Sequence, residues 1–121
     1  MSTGTEEKLG ALKISDDVIA MCAMNAATKT QGVAALSGGF SDNFSKNIFG
    51  KEPLYKGIKV GQGDDGITID IYIIVEYGVK IPAVAWDIQE NVKKEVESMT
   101  DAVVKAVNIH VQGVHFTDEE V

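Results

Sequence analysis

The hydrophobic pattern of the N-terminal part of the chain changes period twice, and each change marks a predicted element. Residues 10–14 alternate between apolar and other side chains, which predicts a first strand. Ser15 and the two aspartates that follow it are typical of a helix N-cap and an acidic first turn. Apolar residues then recur at helical spacing as far as Lys29, and Gly32 is expected to end the helix before a short apolar strand.

The middle of the chain contains a predicted hairpin. The aromatic residues of the Phe40–Phe49 segment recur at spacings of three and four, which indicates a short helix between Gly39 and Gly50. A strand that begins at Ile58 is followed by the glycine-rich turn 61–66 and by the most regular alternation in the sequence. Alternate residues of this long strand are almost all β-branched or aromatic and should face the core: Ile67, Ile69, Ile71, Ile73, Val75 and Tyr77.

The C-terminal part predicts a long helix and a last strand. Gly78 ends the preceding strand, and Pro82 suits the first turn of a helix. The apolar stripe of this helix is Ile81, Val84, Ala85, Ile88, Val92, Val96 and Met99. The strand after Asp101 is expected to turn one set inward, namely Val103, Val107, Ile109 and Val111. The opposite set should face outward: Val104, Ala106, Asn108, His110 and Gln112.

Together these elements predict an α+β fold in the order β-α-β-short α-β-β-α-β. Because a strand joined to the next through a helix cannot form a hairpin with it, the sheet should be mixed. Both main helices should cover one face of this sheet and form a two-layer domain. We expect a flexible N-terminus over 1–8, a single domain over 9–116 and an acidic tail over 117–121.

Composition and charge exclude several classes of function. A chain of 121 residues with 45% hydrophobic and 24% charged residues is large enough for one independently folded domain. The formal net charge of −7 repels phosphate backbones, so we expect no nucleic-acid partner. No apolar run is long enough to cross a bilayer, which predicts a cytoplasmic protein without direct membrane insertion.

The chemically active residue types do not form a recognisable catalytic or metal site. Cys22 lies on the predicted buried stripe of the first helix, where a thiol is inert. His110 and His115 are five positions apart on one strand, which should place them on opposite faces. The loop 61–66 precedes a strand, whereas a phosphate-binding loop opens a helix and carries a lysine. We therefore predict no enzymatic activity, no cofactor and no metal.

Four segments resemble the signature of the alkaline shock protein family of envelope stress proteins. They are Tyr77–Pro82, Ile88–Val92, Met99–Thr100 and Val107–Val114, and the opening residues Ile14–Ile19 and Gly32–Val33 also fit. The resemblance implies a bacterial, mainly Gram-positive, cytosolic protein linked to cell-envelope or alkaline stress. It also implies that some members are recruited to the membrane by an anchoring partner. One departure is Asp101, where the family usually has glycine.

The candidate partner-binding residues lie on two predicted surfaces. The outer sheet face offers polar and apolar groups in alternation, which suits recognition of a protein. Its candidates are Tyr72, Ile74, Asn108, His110 and Gln112. Trp86 lies about 130° from the centre of the apolar stripe at roughly 100° per residue, which predicts an exposed indole or one packed on the Phe40–Phe49 segment.

These observations favour a non-enzymatic interaction or scaffolding module of the envelope stress response. Such a module would associate with itself or dock onto a membrane-anchored protein, and would reach the membrane periphery only through that partner. An alternative function is a small-ligand carrier or an accessory subunit of an enzyme, which an apolar pocket beside Phe40–Phe49 would support. A nucleic-acid-binding domain is the least favoured alternative, since the chain is acidic.

Overall fold

The computed structural model describes residues 9–37 and 57–116 of the chain. The described elements follow one another as helix α1 (Asp16–Thr28), strand β1 (Val33–Leu36), strand β2 (Ile58–Gly63), strand β3 (Gly66–Glu76), helix α2 (Ile81–Thr100) and strand β4 (Val104–His115). The short helix predicted between Gly39 and Gly50 lies outside the described residues.

The sheet is organised around β3, which is the central strand. β2 pairs antiparallel with the first half of β3 through a tight hairpin, and β1 pairs antiparallel with its second half. β4 runs parallel to β3 along the other side. The prediction of a mixed sheet is confirmed, because α2 carries the chain back to the starting end of β3 before β4 begins.

Both helices cover the same face of this sheet. Burial alternates strictly along β3, so its odd-numbered residues are buried and its even-numbered residues are half-buried. The buried set packs with Ile19 and Ala23 of α1 and with Ile88 and Val92 of α2 in one core. The two-layer α+β prediction is therefore confirmed, with the core between the helices and the sheet.

The predicted first strand over residues 10–14 is wrong. These residues form no strand and lead directly into α1, whose N-cap Ser15 accepts a hydrogen bond from the Val18 amide. Leu12 is 85% exposed, and only Ile14 packs against the core. The alternation is too short to bury a second apolar residue, so pairing with the sheet would gain little. Instead, the side-chain amide of Gln62 donates to the Ile14 carbonyl at 3.1 Å.

The predicted inward and outward sets of β4 are correct only in its centre. Val107 is buried, and Ile109 and Val111 pack against the core as predicted. At the start of the strand the assignment is wrong, since Val104 is buried and Val103 is 62% exposed. The β3–β4 register shifts between Ile67 and Thr68, which leaves Lys105 as an extra residue on β4. Because of this bulge, the residues before it face the opposite side of the sheet from the one that simple alternation predicts.

The turn between α2 and β4 explains the departure at Asp101. This residue follows the last turn of α2 with φ 61 and ψ 11, a left-handed conformation. Its backbone N–H donates to the Glu97 carbonyl at 2.9 Å. Glycine adopts this conformation without strain, and aspartate is among the residues that tolerate it. The turn at this position therefore has a conformation that glycine would also adopt.

Candidate functional site

The outer face is the side of the sheet opposite the helices. We define it by the even-numbered residues of β3 and by the residues of β2 and β4 that point the same way. Both helices pack on the other side of the sheet, so neither of them covers this face. The half-buried side chains along β3 are Thr68, Asp70, Tyr72, Ile74 and Glu76.

Asp70 is the centre of a polar network on the outer face. Its Oδ1 accepts a hydrogen bond from Asn108 Nδ2 at 3.1 Å and lies 3.0 Å from His110 Nε2. These contacts form because β3 and β4 place Asp70 beside Asn108 and Tyr72 beside His110. The hydrogen bond with His110 is the main cause that lowers the pKa of Asp70, helped by Asn108 and Lys59 and opposed by burial.

Tyr72 lies between two nitrogen-containing side chains. The His110 ring stacks on the Tyr72 ring with centroids 4.3 Å apart and planes inclined by 12°. On β2, Lys59 Nζ lies 5.7 Å from the centroid of the same tyrosine ring, within the range of a cation–π contact. Three strands thus contribute to one ordered array, which we call the Tyr72 cluster: Lys59, Asp70, Tyr72, Asn108 and His110.

His115 lies on the outer face as well, so the prediction that the two histidines face opposite sides is wrong. Its Nδ1 lies 3.0 Å from Glu76 Oε1, and the two residues are paired across β3 and β4. A second register shift, between Ile73 and Ile74, inserts an extra residue in β4 between the histidines. Their partners on β3 are four residues apart, about 13 Å at 3.3 Å per residue, which is too far to share a metal ion.

The remaining candidates are distributed over different places. Ile74 is paired with Gly113, and a Cβ added to that glycine would lie 3.8 Å from Ile74 Cγ1. Gln112 is the extra residue of the bulge and is exposed, so it lies outside the regular pairing. The structure therefore brings Tyr72, Asn108 and His110 together, with Ile74 further along the same face.

Trp86 lies apart from the outer face, on helix α2. It is 61% exposed, as its position around the helix predicts, and its possible packing on Phe40–Phe49 involves residues outside the described ones. It borders a hollow of about 270 Å³ between α2 and the first half of β4. In the same hollow, the Gln89 side chain donates to the Val107 carbonyl at 3.0 Å.

Metal-ligating and nucleophilic side chains are present among the described residues. No three histidine, cysteine, aspartate or glutamate side chains in 9–37 and 57–116 come together as metal ligands. Cys22 is buried, and its pKa is raised mainly by that burial and also by Glu95. A groove of about 520 Å³ separates the two helices, and its lining is mixed: Ala26, Lys29, Asn91, Lys94, Glu95, Ser98 and Met99.

Sequence reasoning missed the central position of Asp70 and the contribution of Lys59. Both lie on the outer face, but their role depends on which residues of neighbouring strands stand side by side. Alternation predicts which face of the sheet a residue lies on, but it does not determine which residue of the neighbouring strand is paired with it. A signal was present in the hairpin, because a turn at 64–65 fixes Lys59 opposite Asp70.

The family comparison matches nearly the whole domain. The model of the alkaline shock protein 23 family, described as having a cell envelope-related function, matches residues 4–116. The chain belongs to this family. The resemblance noted from the four signature segments is therefore confirmed, and the function is related to the cell envelope and stress response.

Named relatives come from Bacillus and Streptococcus. The uncharacterised YqhY of Bacillus subtilis is 42% identical over 108 residues, which cover 89% of this chain and 79% of YqhY. The uncharacterised YloU of the same organism is 40% identical over 122 residues, with 98% and 99% coverage. A stress response regulator gls24 homolog of Streptococcus pyogenes is 30% identical and is aligned over 84% of this chain and 57% of its own length.

Among solved structures, a MamM CTD variant is similar at a TM-score of 0.49 and 13% identity, over 82% of this chain and 98% of that one. Within the described residues, neither helix combines the length and the apolar character needed to span a bilayer.

Proposed function

We propose that this member of the alkaline shock protein 23 family is a non-enzymatic interaction module of the envelope stress response. It associates with itself or docks onto a membrane-anchored protein, and the outer face is its contact surface. The observation that carries this proposal is the Tyr72 cluster, an ordered aromatic and polar array that no described helix covers.

The geometry of the Tyr72 cluster suits protein recognition. Its aromatic ring is held between His110 and Lys59, so little side-chain freedom remains to be lost when a partner binds. Half-buried tyrosines with a fixed rotamer are common anchors in protein interfaces. The charge of Asp70 is already offset by Lys59 and by the hydrogen bonds to β4, which reduces the cost of covering it.

Electrostatics favour a protein over a lipid surface as the binding partner. Anionic membranes attract clusters of lysine and arginine, whereas this chain has a formal net charge of −7. An envelope-related role for such an acidic domain is therefore best served by a protein that is itself anchored in the membrane. The domain would then stay at the membrane periphery through that contact.

A tyrosine pair provides the test. Tyr72→Ala removes the centre of the cluster, whereas Tyr77→Ala removes a 57% exposed tyrosine that stacks on Phe116 outside the cluster. We expect Tyr72→Ala to weaken self-association or capture of the anchored partner by about 1 kcal/mol or more, roughly fivefold, and Tyr77→Ala to have little effect. Sedimentation and quantitative pull-down, run beside thermal melts, measure this.

Two results would contradict this proposal. If Tyr72→Ala leaves every association intact while Trp86→Ala abolishes it, the contact surface belongs to α2 and the outer face has no role. Reproducible catalytic turnover that depends on Cys22 or His110 would contradict the non-enzymatic part of the proposal.

A further inference from the structure

The free edge of β4 has a two-fold symmetric pattern of side chains. Among the described strands, β4 pairs with β3 alone, so its other edge is open there. Register assigns five residues of β4 to the core side of the sheet, since each is paired with a buried residue of β3. In order they are Val104, Val107, Ile109, Val111 and Val114.

This set reads the same in both directions. The spacings are three, two, two and three residues, because each of the two bulges adds one residue outside the central stretch. The residue types are also symmetric, with isoleucine in the middle and two valines on each side. Resting on the proposed interaction function, we infer that two copies of this chain pair their β4 edges antiparallel, with Ile109 on the two-fold axis.

In this register, the side chains that lie opposite each other in the centre of the two strands are either both apolar or both polar. On the core side, Val107 meets Val111 of the second copy, and Val104 meets Val114 of the second copy. On the outer face, Asn108 lies beside His110 of the second copy. A shift of the axis to Asn108 would place Val104 opposite the bulge residue Gln112, so only the Ile109 axis keeps the pattern through both bulges.

The backbone of β4 is oriented correctly for this pairing. The Ile67 amide donates to the Val103 carbonyl and the Tyr77 amide to the His115 carbonyl, which fixes the odd residues of β3 as those that bond to β4. In a parallel ladder, the even residues in the centre of β4 then bond back to β3, and Val107, Ile109 and Val111 point to the open edge. The Gln89 side chain donates to the Val107 carbonyl on that edge, and this oxygen has a second lone pair for the amide of Val111 of the second copy.

Charge does not oppose contact between two copies at this edge. Although the chain has a formal net charge of −7, β4 carries no carboxylate, and Lys105 is its one lysine. In the inferred register, Lys105 lies opposite Gly113 of the second copy, so no two like charges meet across the strand pair. A 12-residue edge strand with an apolar core-side set, one lysine and no carboxylate is a template for pairing with another strand.

The pairing also accounts for exposed apolar side chains around the edge. Trp86 borders the hollow beside Val104, and Val114 is 42% exposed. The antiparallel register brings Val114 of the second copy next to Val104, where it would cover the indole. The outer faces of the two copies then continue into one surface that presents two Tyr72 clusters to an anchored partner.

The native tryptophan and a pair of proline variants test this inference. Trp86 is the only tryptophan in the chain, so its emission should shift to shorter wavelength as protein concentration rises. Ile109→Pro removes an edge amide that does not bond to β3. Val60→Pro is the matched control, since the antiparallel register points the Val60 amide away from β3 on the opposite edge.

Sedimentation should show a dimer for the wild type and for Val60→Pro, with the dissociation constant of Ile109→Pro raised by about tenfold or more. If Ile109→Pro does not fold, amide exchange on the wild type decides instead: Ile109 and Val111 should exchange more slowly as concentration rises, and Val60 should not. A dimer that survives Ile109→Pro but not Tyr72→Ala overturns the edge pairing and supports the proposed function. A wild type that stays monomeric while it still captures an anchored partner would likewise overturn the edge pairing and support the proposed function.

Discussion

The imidazole of His110 lies 3.0 Å from the carboxylate of Asp70, across the parallel pair formed by β3 and β4. This contact joins the two longest strands of the sheet on the face that the helices leave open. It also holds the imidazole against Tyr72, so the aromatic group and the charged group of the outer face depend on each other. The Tyr72 cluster therefore forms because the register of β3 and β4 places these side chains next to each other.

The Asp70–His110 contact predicts how stability depends on pH. The pKa of Asp70 is lowered in the folded chain, so its ionised form stabilises folding at pH values above its ordinary value near 3.8. That contribution should be lost as pH falls through the lowered pKa. Asp70→Asn should reduce the free energy of unfolding by less than about 1 kcal/mol at pH 5, and this reduction should become smaller as pH falls through the lowered pKa.

Urea unfolding at several pH values measures this difference. In a His110→Ala background the effect of Asp70→Asn at pH 5 should shrink, because the main cause of the lowered pKa has been removed. An effect of equal size in both backgrounds would show that His110 does not stabilise the carboxylate.

Ile71 provides the contrast between core and surface. It is fully buried on β3, between Ile58 of β2 and Ile109 of β4. Ile71→Ala should lower the free energy of unfolding by about 2–5 kcal/mol, because it leaves a cavity under the helices. Thermal and urea melts measure this, with the outer-face change Thr68→Ala as a control that should cost far less. Equal losses at the two positions would contradict the assignment of faces.

Asp101 predicts a stabilising substitution. Its left-handed backbone conformation is more favourable for glycine than for a residue with a Cβ, and its negative charge lies at the unfavourable end of the α2 dipole. Asp101→Gly should therefore raise the free energy of unfolding by up to about 1 kcal/mol. Asp101→Ala removes the charge and keeps the Cβ, so it should gain less than the glycine variant. A loss of stability with glycine would mean that the aspartate side chain supports the turn.

Much of the fold could be predicted because its elements have clear periods. The alternation along β3 buries one face from Ile67 to Val75, and the central stripe of α2 is buried at Val84, Ile88, Val92 and Val96, as predicted. The predicted inward positions at the ends of these elements are wrong, because Tyr77, Ile81 and Met99 lie beyond the part of each element that packs on the core and are exposed. Other errors arise where local geometry interrupts the period. Two bulges in β4 reverse the predicted faces of Val103 and Val104 and bring His115 to the same side as His110.

The candidate site was predictable only in part. Tyr72, Asn108 and His110 were assigned to one face from alternation, and they do meet there. Their contact with Asp70 could not be predicted, because the register of a parallel pair depends on the helix that connects its strands and leaves no local signal. Trp86 was correctly expected near the surface, but no periodicity could indicate that it lies beside the edge of β4.

Native mass spectrometry of the chain isolated from its own cells, run beside Tyr72→Ala prepared in the same way, is the most direct test of the interaction function. The outer-face account predicts a wild-type mass of two or more copies, or of one copy with a defined membrane-anchored protein, and a loss of that species in Tyr72→Ala at an unchanged thermal midpoint. A wild-type monomer that carries only a retained small molecule would contradict it and favour a ligand carrier.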